Sequence, residues 1–455
     1  MAAACDATAP RRLLLAVGGD LLGQWLPVCI ALALPETQCR FIGQLWTSGN
    51  FVRGAGLPYR CWPWTLPAAA GPSTLPNLTD FHLRGLRPDA LPEPVRRAYG
   101  ALQALAEREF DDFQPDAVLS LTAESALGHI LDTLARPRGI LSVGLQTTFL
   151  RQSLLVHPYG ADWWRALRDA ELPATDCGTA APLPNHPPPA VRPPSRLDGL
   201  RRRRMVWAAR AERLLRSAVG APSFDELGSL LALLGRSAQL RPGGFADLGT
   251  ADIGAEPPVG MVLVALHRPA LPPGEPDWID LLRFALAATP LDMPLVIRPH
   301  PDEPQRPLPD DLALALRQRG ARVSRPGQGA GLAVLLRHTR ALLTLSSSAG
   351  MQALQAGVPT LVIGPAFYAR PGLAWQADRQ QPAQLRAWLS LGRLPAPDPA
   401  AVHAFAGWIE HALSAPLPAL STEVVPAEAL ARKIRAMAAC PAAARAMRLT
   451  NRSCP

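Results

Sequence analysis

The chain alternates short apolar runs with longer segments of mixed polarity. Leu13 to Val17 is wholly apolar and ends at Gly18-Gly19-Asp20, the pattern of a buried strand followed by a tight turn. Leu21 to Leu34 is apolar and helix-length, with Pro27 inside it, and Arg40 to Leu45 predicts the next strand. Pro94 to Phe113, rich in Ala, Leu, Arg and Glu, predicts a helix. Ala117 to Leu121 predicts a strand, Ser125 to Ala135 a helix and Gly139 to Val143 a further strand. Strands alternating with helices predict a parallel α/β sheet, here a Rossmann-like unit filling the first 165 or so residues.

The same rhythm restarts later. Met261 to Leu266 predicts a strand, Trp278 to Ala288 a helix, and Pro294 to Ile297 a strand ending at Arg298-Pro299-His300-Pro301. Asp310 to Arg319 predicts a helix and Ala341 to Leu345 a strand. Ser346 to Gly350 predicts a turn into a helix over Met351 to Ala356, and Thr360 to Ile363 a strand ending at Gly364-Pro365. Between the halves, residues 172–198 carry Pro173, Pro182, Pro184, Pro187, Pro188, Pro189, Pro193 and Pro194, the composition of an extended linker. A helical stretch from Arg203 to Leu240 follows it. The expected division is 1–170 for an N-terminal Rossmann-like domain and 171–255 for linker and bridging helices. A second Rossmann-like domain follows at 256–400, and C-terminal helices with a tail at 401–455.

Composition narrows the class. Of 455 residues, 48% are hydrophobic and 18% charged, a globular balance rather than a disordered one. The formal net charge is +9 and Lys433 is the single lysine. A genome-level bias toward Arg explains this more simply than a function does. Arg201 to Arg204 is the one basic run; it lacks interleaved aromatics and glycines, so nucleic acid is not an expected partner and a solvated edge or a membrane-surface contact fits it better. The seven cysteines form no C-x-x-C pair, which argues against a zinc knuckle and for a reducing compartment. The N-terminal apolar run is too short for a signal-peptide core, so a cytoplasmic protein, soluble or peripheral at the inner membrane, is expected.

Three strand ends in the second half carry chemistry, and ligands of parallel α/β sheets bind at the carboxyl ends of strands. Arg298 and His300 follow one strand, Ser346, Ser347 and Ser348 another, and Gly364 and Tyr368 a third. Hydroxyls and free N–H groups at a helix start favour a phosphate. A single serine there would be an ordinary N-cap; three in a row point to an anion. His300, stiffened between two prolines, is placed to donate a hydrogen bond or proton to a leaving phosphate, with Arg298 adding charge. The chain has no P-loop, no H-E-x-x-H and no nucleophile elbow. It also lacks Asp-x-Asp, so no metal site is expected, and a nucleoside monophosphate is the better leaving group.

Together these segments resemble the capsule polysaccharide biosynthesis family, whose members transfer Kdo from CMP-Kdo. Pro294 to Pro301 looks like that family's His-Pro motif, and Ser346 to Pro359 is similar to its Ser-rich donor motif, with Gln352 where the family usually has Glu. Gly364 to Tyr368, continuing through Gly372-Leu373, matches the next segment. Bacterial polysialyltransferases share the His-Pro and Ser features. In the first half, Gly18-Gly19-Asp20 resembles the opening Gly-rich loop and Phe149-Leu150-Arg151 with Gly160 a second motif.

The resemblance implies a GT-B architecture, two Rossmann-like domains facing across a cleft, with 1–170 as the acceptor domain and 256–400 as the nucleotide-sugar donor domain. It implies a CMP-activated sugar as donor substrate, no separate cofactor, a lipid-linked or glycan acceptor and capsule assembly proteins as partners. Donor-binding residues would be Arg298, His300, Ser346, Ser347, Ser348, Gly350, Gln352 and Tyr368; the acceptor side would use Gly18, Gly19, Asp20, Gln146 and Arg151. The family's acidic element is replaced here by Gln146-Thr147-Thr148. An amide cannot serve as a carboxylate base. A catalytic chain would therefore rely on Glu124 or Asp162 beside His300; a non-catalytic nucleotide- or glycan-binding scaffold is the alternative, and a GT-B enzyme using a UDP-sugar is a third.

Overall fold

The computed structural model describes residues 10–18, 21–43, 45–61, 93–121, 126–147, 153–158, 163–170, 257–266, 277–300, 308–325, 330–416 and 426–439, with isolated positions between 204 and 215. The fold is α/β, with two sheets of mostly parallel strands. The chain divides into two compact units. The first comprises Met1–Trp163, Ala181–Ala232 and Ile409–Pro455, the second Trp164–Ala180 and Leu233–Trp408. The predicted Pro-rich linker, the Gly19-Asp20 part of the first turn, and Glu124, Arg151, Gly160 and Asp162 lie outside the described residues, as does most of the predicted 203–240 helix.

In the first unit the strands are β1 (Arg12–Val17), β2 (Gln38–Gly43), β3 (Tyr59–Cys61), β4 (Ala117–Leu121), β5 (Leu141–Thr147) and β6 (Ser153–His157). They are joined by helices α1 (Leu21–Leu32), α2 (Asn50–Gly54), α3 (Glu93–Phe113) and α4 (Ala126–Ala135), and α5 (Trp163–Asp169) comes after β6 in the chain. The sheet order is β3-β2-β1-β4-β5-β6, extended by β13 (Ser414–Pro416) at the β6 edge. β1 to β5 pair in parallel, whereas β6 and β13 run antiparallel to their neighbours. The chain therefore reverses between β1 and β4, the switch of a doubly wound sheet. Leu13, Leu15 and Val17 point to one core with α1, while Leu14 and Ala16 pack on the α3 and α4 side. Burial on both faces accounts for the continuous rather than alternating apolar run.

Pro27 sits inside α1 and supplies no N–H to the carbonyl four residues earlier. That carbonyl, on Gly23, accepts instead from the Gly18 N–H at 3.0 Å. The helix breaker thus anchors the turn that leaves β1.

The C-terminal segment, expected from the sequence to be helices and a tail, is not purely helical. Residues Ile409–Leu413 form a π-helical turn, β13 joins the first sheet, and α12 (Glu428–Ala438) packs against α1. Lys433 donates to the carbonyls of His411 and Ala412 in that turn. A three-residue strand that itself ends in Pro416 is too short to carry a period, so this return is decided by pairing with β6.

The second unit contains β7 (Met261–Ala265), β8 (Leu295–Arg298), β9 (Arg322–Val323), β10 (Thr339–Thr344), β11 (Thr360–Val362) and β12 (Trp375–Gln376). All pair in parallel in the order β12-β11-β10-β7-β8-β9. α6 (Trp278–Ala288), α7 (Asp310–Gln318), α8 (Leu332–His338), α9 (Ser348–Gln355), α10 (Pro382–Leu391) and α11 (Pro399–Trp408) accompany the sheet. α6 begins with a capping box, in which Asp277 accepts from Ile279 and Asp280 N–H while Asp280 accepts from Asp277 N–H. The strands leave β7 in one direction through β8 and β9, then in the other through β10 and β11. The switch point lies between β7 and β10. No helix among the described residues is long and apolar enough to cross a membrane.

Candidate anion site at the carboxyl edge of the second sheet

Because the second sheet is all parallel, its strands end on one edge. That edge carries Gly364 after β11, Ser346 to Ser348 after β10, Arg298 as the last residue of β8 with His300 beyond it, and Ser324 after β9. The serine run therefore stands at the switch point, where ligands of doubly wound sheets bind.

Thr344, the last residue of β10, fixes the turn. Its hydroxyl donates to the Ala265 carbonyl on β7 at 2.9 Å and accepts from the Ser347 N–H at 3.2 Å. Ser347 is the N-cap of α9; its Oγ accepts from Ala349 N–H at 3.3 Å. Its hydroxyl is thus engaged within the turn, and Ser347 is 7% exposed. Ser346 is half-buried and Ser348 exposed, and neither side chain has a hydrogen-bond partner among the described residues. Of the three serines, these two retain hydroxyls for a ligand. Gln352 lies one helical turn beyond Ser348 on the same face and is half-buried.

Tyr368 corrects an expectation. It is fully buried, and its hydroxyl donates to the Ser347 carbonyl at 2.6 Å. Burial pushes the phenol far above its ordinary range. Tyr368 supports the helix start rather than presenting itself to a donor. Gly350 is explained by the same contact: a Cβ there would lie 2.5 Å from Tyr368 Cζ and 2.7 Å from Cε2. Gly350 is buried and serves packing, not ligand contact. Gly364 has a similar reason, since a Cβ would come within 3.0 Å of the Leu345 carbonyl oxygen.

Arg298 is half-buried, and desolvation lowers its pKa. Its Nη1 donates to Ser324 Oγ at 3.2 Å and, more weakly, to the Ala330 carbonyl at 3.4 Å. No carboxylate pairs with it among the described residues. A partly desolvated guanidinium without a counter-charge attracts an anion. His300 is half-buried on the loop beyond β8 and has interaction partners within the protein. β7 separates β8 from β10, so the arginine and serine groups arise two strand spacings apart, roughly 10 Å. No group of three metal-ligating side chains occurs among the described residues.

On the first sheet, Gly18 is half-buried at the end of β1. Gln146 is 5% exposed on β5, and its Nε2 lacks a hydrogen-bond partner in the described structure. Beside it, Gly144 leaves room for the ring of His157, which stacks on Trp163 at 5.7 Å. Burial, helped by Arg136, lowers the His157 pKa to about 3, so it is a neutral core histidine at physiological pH. Sequence reasoning missed Thr344, Ser324 and Glu212. The first two are small hydroxyl residues beside strand ends, with no motif to mark them. Glu212 is buried and accepts from the backbone N–H groups of Trp46 and Thr47 at 2.6 and 2.7 Å; a partner more than 160 residues away leaves no local signal.

These features define a two-unit α/β protein, each unit built on a Rossmann-like sheet, with a cationic, hydroxyl-bearing edge on the second. Residues 274–387, about a quarter of the chain, match the family described as Capsule polysaccharide biosynthesis protein, the family that the motifs resemble. The matched stretch includes Arg298, Ser324, Ser346 to Ser348 and Tyr368.

Comparison with curated proteins gives no match. Among solved structures, the glycotransferase of kitacinnamycin is similar at 16% identity and a TM-score of 0.31, covering 98% of this chain and 100% of that one. MurG from Acinetobacter baumannii shows 12% identity, a TM-score of 0.31, and coverage of 93% and 97%. UDP-GlcNAc 2-epimerase from Neisseria meningitidis shows 12% identity, a TM-score of 0.31, and coverage of 88% and 98%.

Proposed function

We propose that this chain is a GT-B glycosyltransferase of capsule or surface polysaccharide synthesis, using CMP-Kdo or a related CMP-ulosonate as donor and a lipid-linked or glycan acceptor. The supporting observation is the carboxyl edge of the second sheet, where Arg298 has no carboxylate partner among the described residues and shares the edge with the switch-point serines. In this reading the donor phosphate lies against Ser346, Ser348 and the N-terminus of α9. Arg298 adds charge, Gln352 contributes an amide, and His300 donates to the leaving phosphate. Two hydroxyls, a helix start and one guanidinium suit a monophosphate leaving group that needs no metal. Glu124 and Asp162 are the proposed carboxylates for the acceptor proton.

Calorimetry with CMP and UDP in excess EDTA tests the donor assignment. CMP should bind, and Arg298→Ala and Ser348→Ala should weaken it while the protein stays folded. Preference for UDP, or binding that needs Mg²⁺, refutes the reading. Turnover of CMP-Kdo should be lost in Glu124→Gln or Asp162→Asn with CMP binding retained. One observation favours a second reading. Gln146 is a buried amide where the family's acidic element falls, so CMP binding without turnover would indicate a non-catalytic nucleotide- or glycan-binding protein.

A further inference from the structure

We infer that Ser324 is a positioning residue for Arg298, fixing the plane of the guanidinium so that its remaining N–H groups face an anionic donor. The inference rests on the donor reading above. Ser324 follows β9, is 2% exposed, and its N–H donates to the Ile297 carbonyl at 2.8 Å. That bond places its hydroxyl next to the strand end from which Arg298 projects. Arg298 Nη1 donates to Ser324 Oγ at 3.2 Å, and this is the hydroxyl's hydrogen bond among the described residues. The Ala330 carbonyl, ahead of α8, makes the weaker second contact to Nη1 at 3.4 Å.

A guanidinium donates through five N–H bonds in one rigid plane. Both of these contacts use Nη1, so among the described residues Nε and Nη2 meet no acceptor and no carboxylate competes for them. A planar ion held at one corner presents the rest in a fixed direction, which suits bidentate recognition of a phosphate or carboxylate. The hydroxyl serves this better than a carboxylate would. It accepts the bond without neutralising the charge, so the full cationic field remains for the ligand.

The test is a double-mutant cycle on CMP affinity by calorimetry, with cytidine as the uncharged control and thermal unfolding measured in parallel. Removing a hydrogen bond to a charged group should cost about tenfold in CMP affinity in Ser324→Ala, with cytidine binding unchanged. Ser324→Thr keeps the hydroxyl and should restore affinity to within about threefold of wild type. In an Arg298→Ala background, Ser324→Ala should have no further effect, because the serine acts through the arginine. Equal losses for CMP and cytidine, or additive losses in the double variant, overturn the inference. Unchanged CMP affinity in Ser324→Ala, with a clear loss in Arg298→Ala, overturns it while sparing the donor reading. Absence of CMP binding in the wild type overturns both.

Discussion

Gly350→Ala tests how the serine turn is built. In most helices this substitution stabilises by about 1 kcal/mol, because alanine has the higher helix propensity. Here the new methyl would point into the Tyr368 ring, 2.5 Å from Cζ, 2.7 Å from Cε2 and closer still to the hydroxyl oxygen. Tyr368 is fully buried and bonded to the Ser347 carbonyl, so the ring cannot retreat without losing that bond. Overpacking of a buried site costs about 1–3 kcal/mol, and a broken hydrogen bond adds about 1 kcal/mol. Overpacking wins, with a net loss of about 1–3 kcal/mol. For a unit of this size that lowers the melting temperature by about 2–4 °C per kcal/mol. Differential scanning calorimetry reads the shift, and hydrogen exchange should show faster exchange at Ser347 to Met351. CMP affinity should fall as well, since Ser346 and Ser348 move with the turn. The same substitution in a Tyr368→Leu background should cost less. A Gly350→Ala variant with a raised melting temperature and unchanged exchange would refute the packing argument.

Ser347→Ala should lower stability by about 1 kcal/mol through loss of the N-cap, whereas Ser346→Ala and Ser348→Ala should leave the unfolding midpoint in place and weaken CMP binding; chemical denaturation with calorimetry separates the two. His157 is held neutral, with its folded pKa depressed from the usual 6.5 to about 3 by burial and Arg136. Its contribution is fully present above pH about 6.5 and declines as pH falls toward about 3, because the unfolded chain takes up the proton first. The slope of stability against pH between 6.5 and 4.5 should flatten in His157→Phe, as read by urea midpoints. Pro27→Ala should let residue 27 donate to the Gly23 carbonyl, so that amide exchange at Gly18 rises while α1 itself becomes more stable. Glu212→Ala removes the acceptor of two backbone N–H groups and should cost about 2 kcal/mol, with faster exchange at Trp46 and Thr47.

The sequence by itself determined the fold class and most of the elements of both sheets. Leu13 to Val17, Ala117 to Leu121 and Met261 to Leu266 are legible because strands buried on both faces must be continuously apolar, and that constraint is local. The placement of the serine run and Arg298 at strand ends was legible for a related reason: each directly follows or closes a largely apolar run. What the sequence left open was which hydroxyls and rings face outward. Ser346, Ser347 and Ser348 are chemically identical, yet one is an N-cap and the other two side chains have no hydrogen-bond partner among the described residues, a difference set by where Thr344 directs the turn. Tyr368 looks like a site residue in the sequence and is a buried support, because its ring fills the space that Gly350 leaves empty. Ser324 gains its place beside Arg298 only when β9 pairs with β8, and β13 gains its place only when it pairs with β6. Local pattern fixes what a residue can be. Tertiary pairing decides what it touches, because hydrogen bonds and packing act over a few ångströms of space regardless of how much chain lies between.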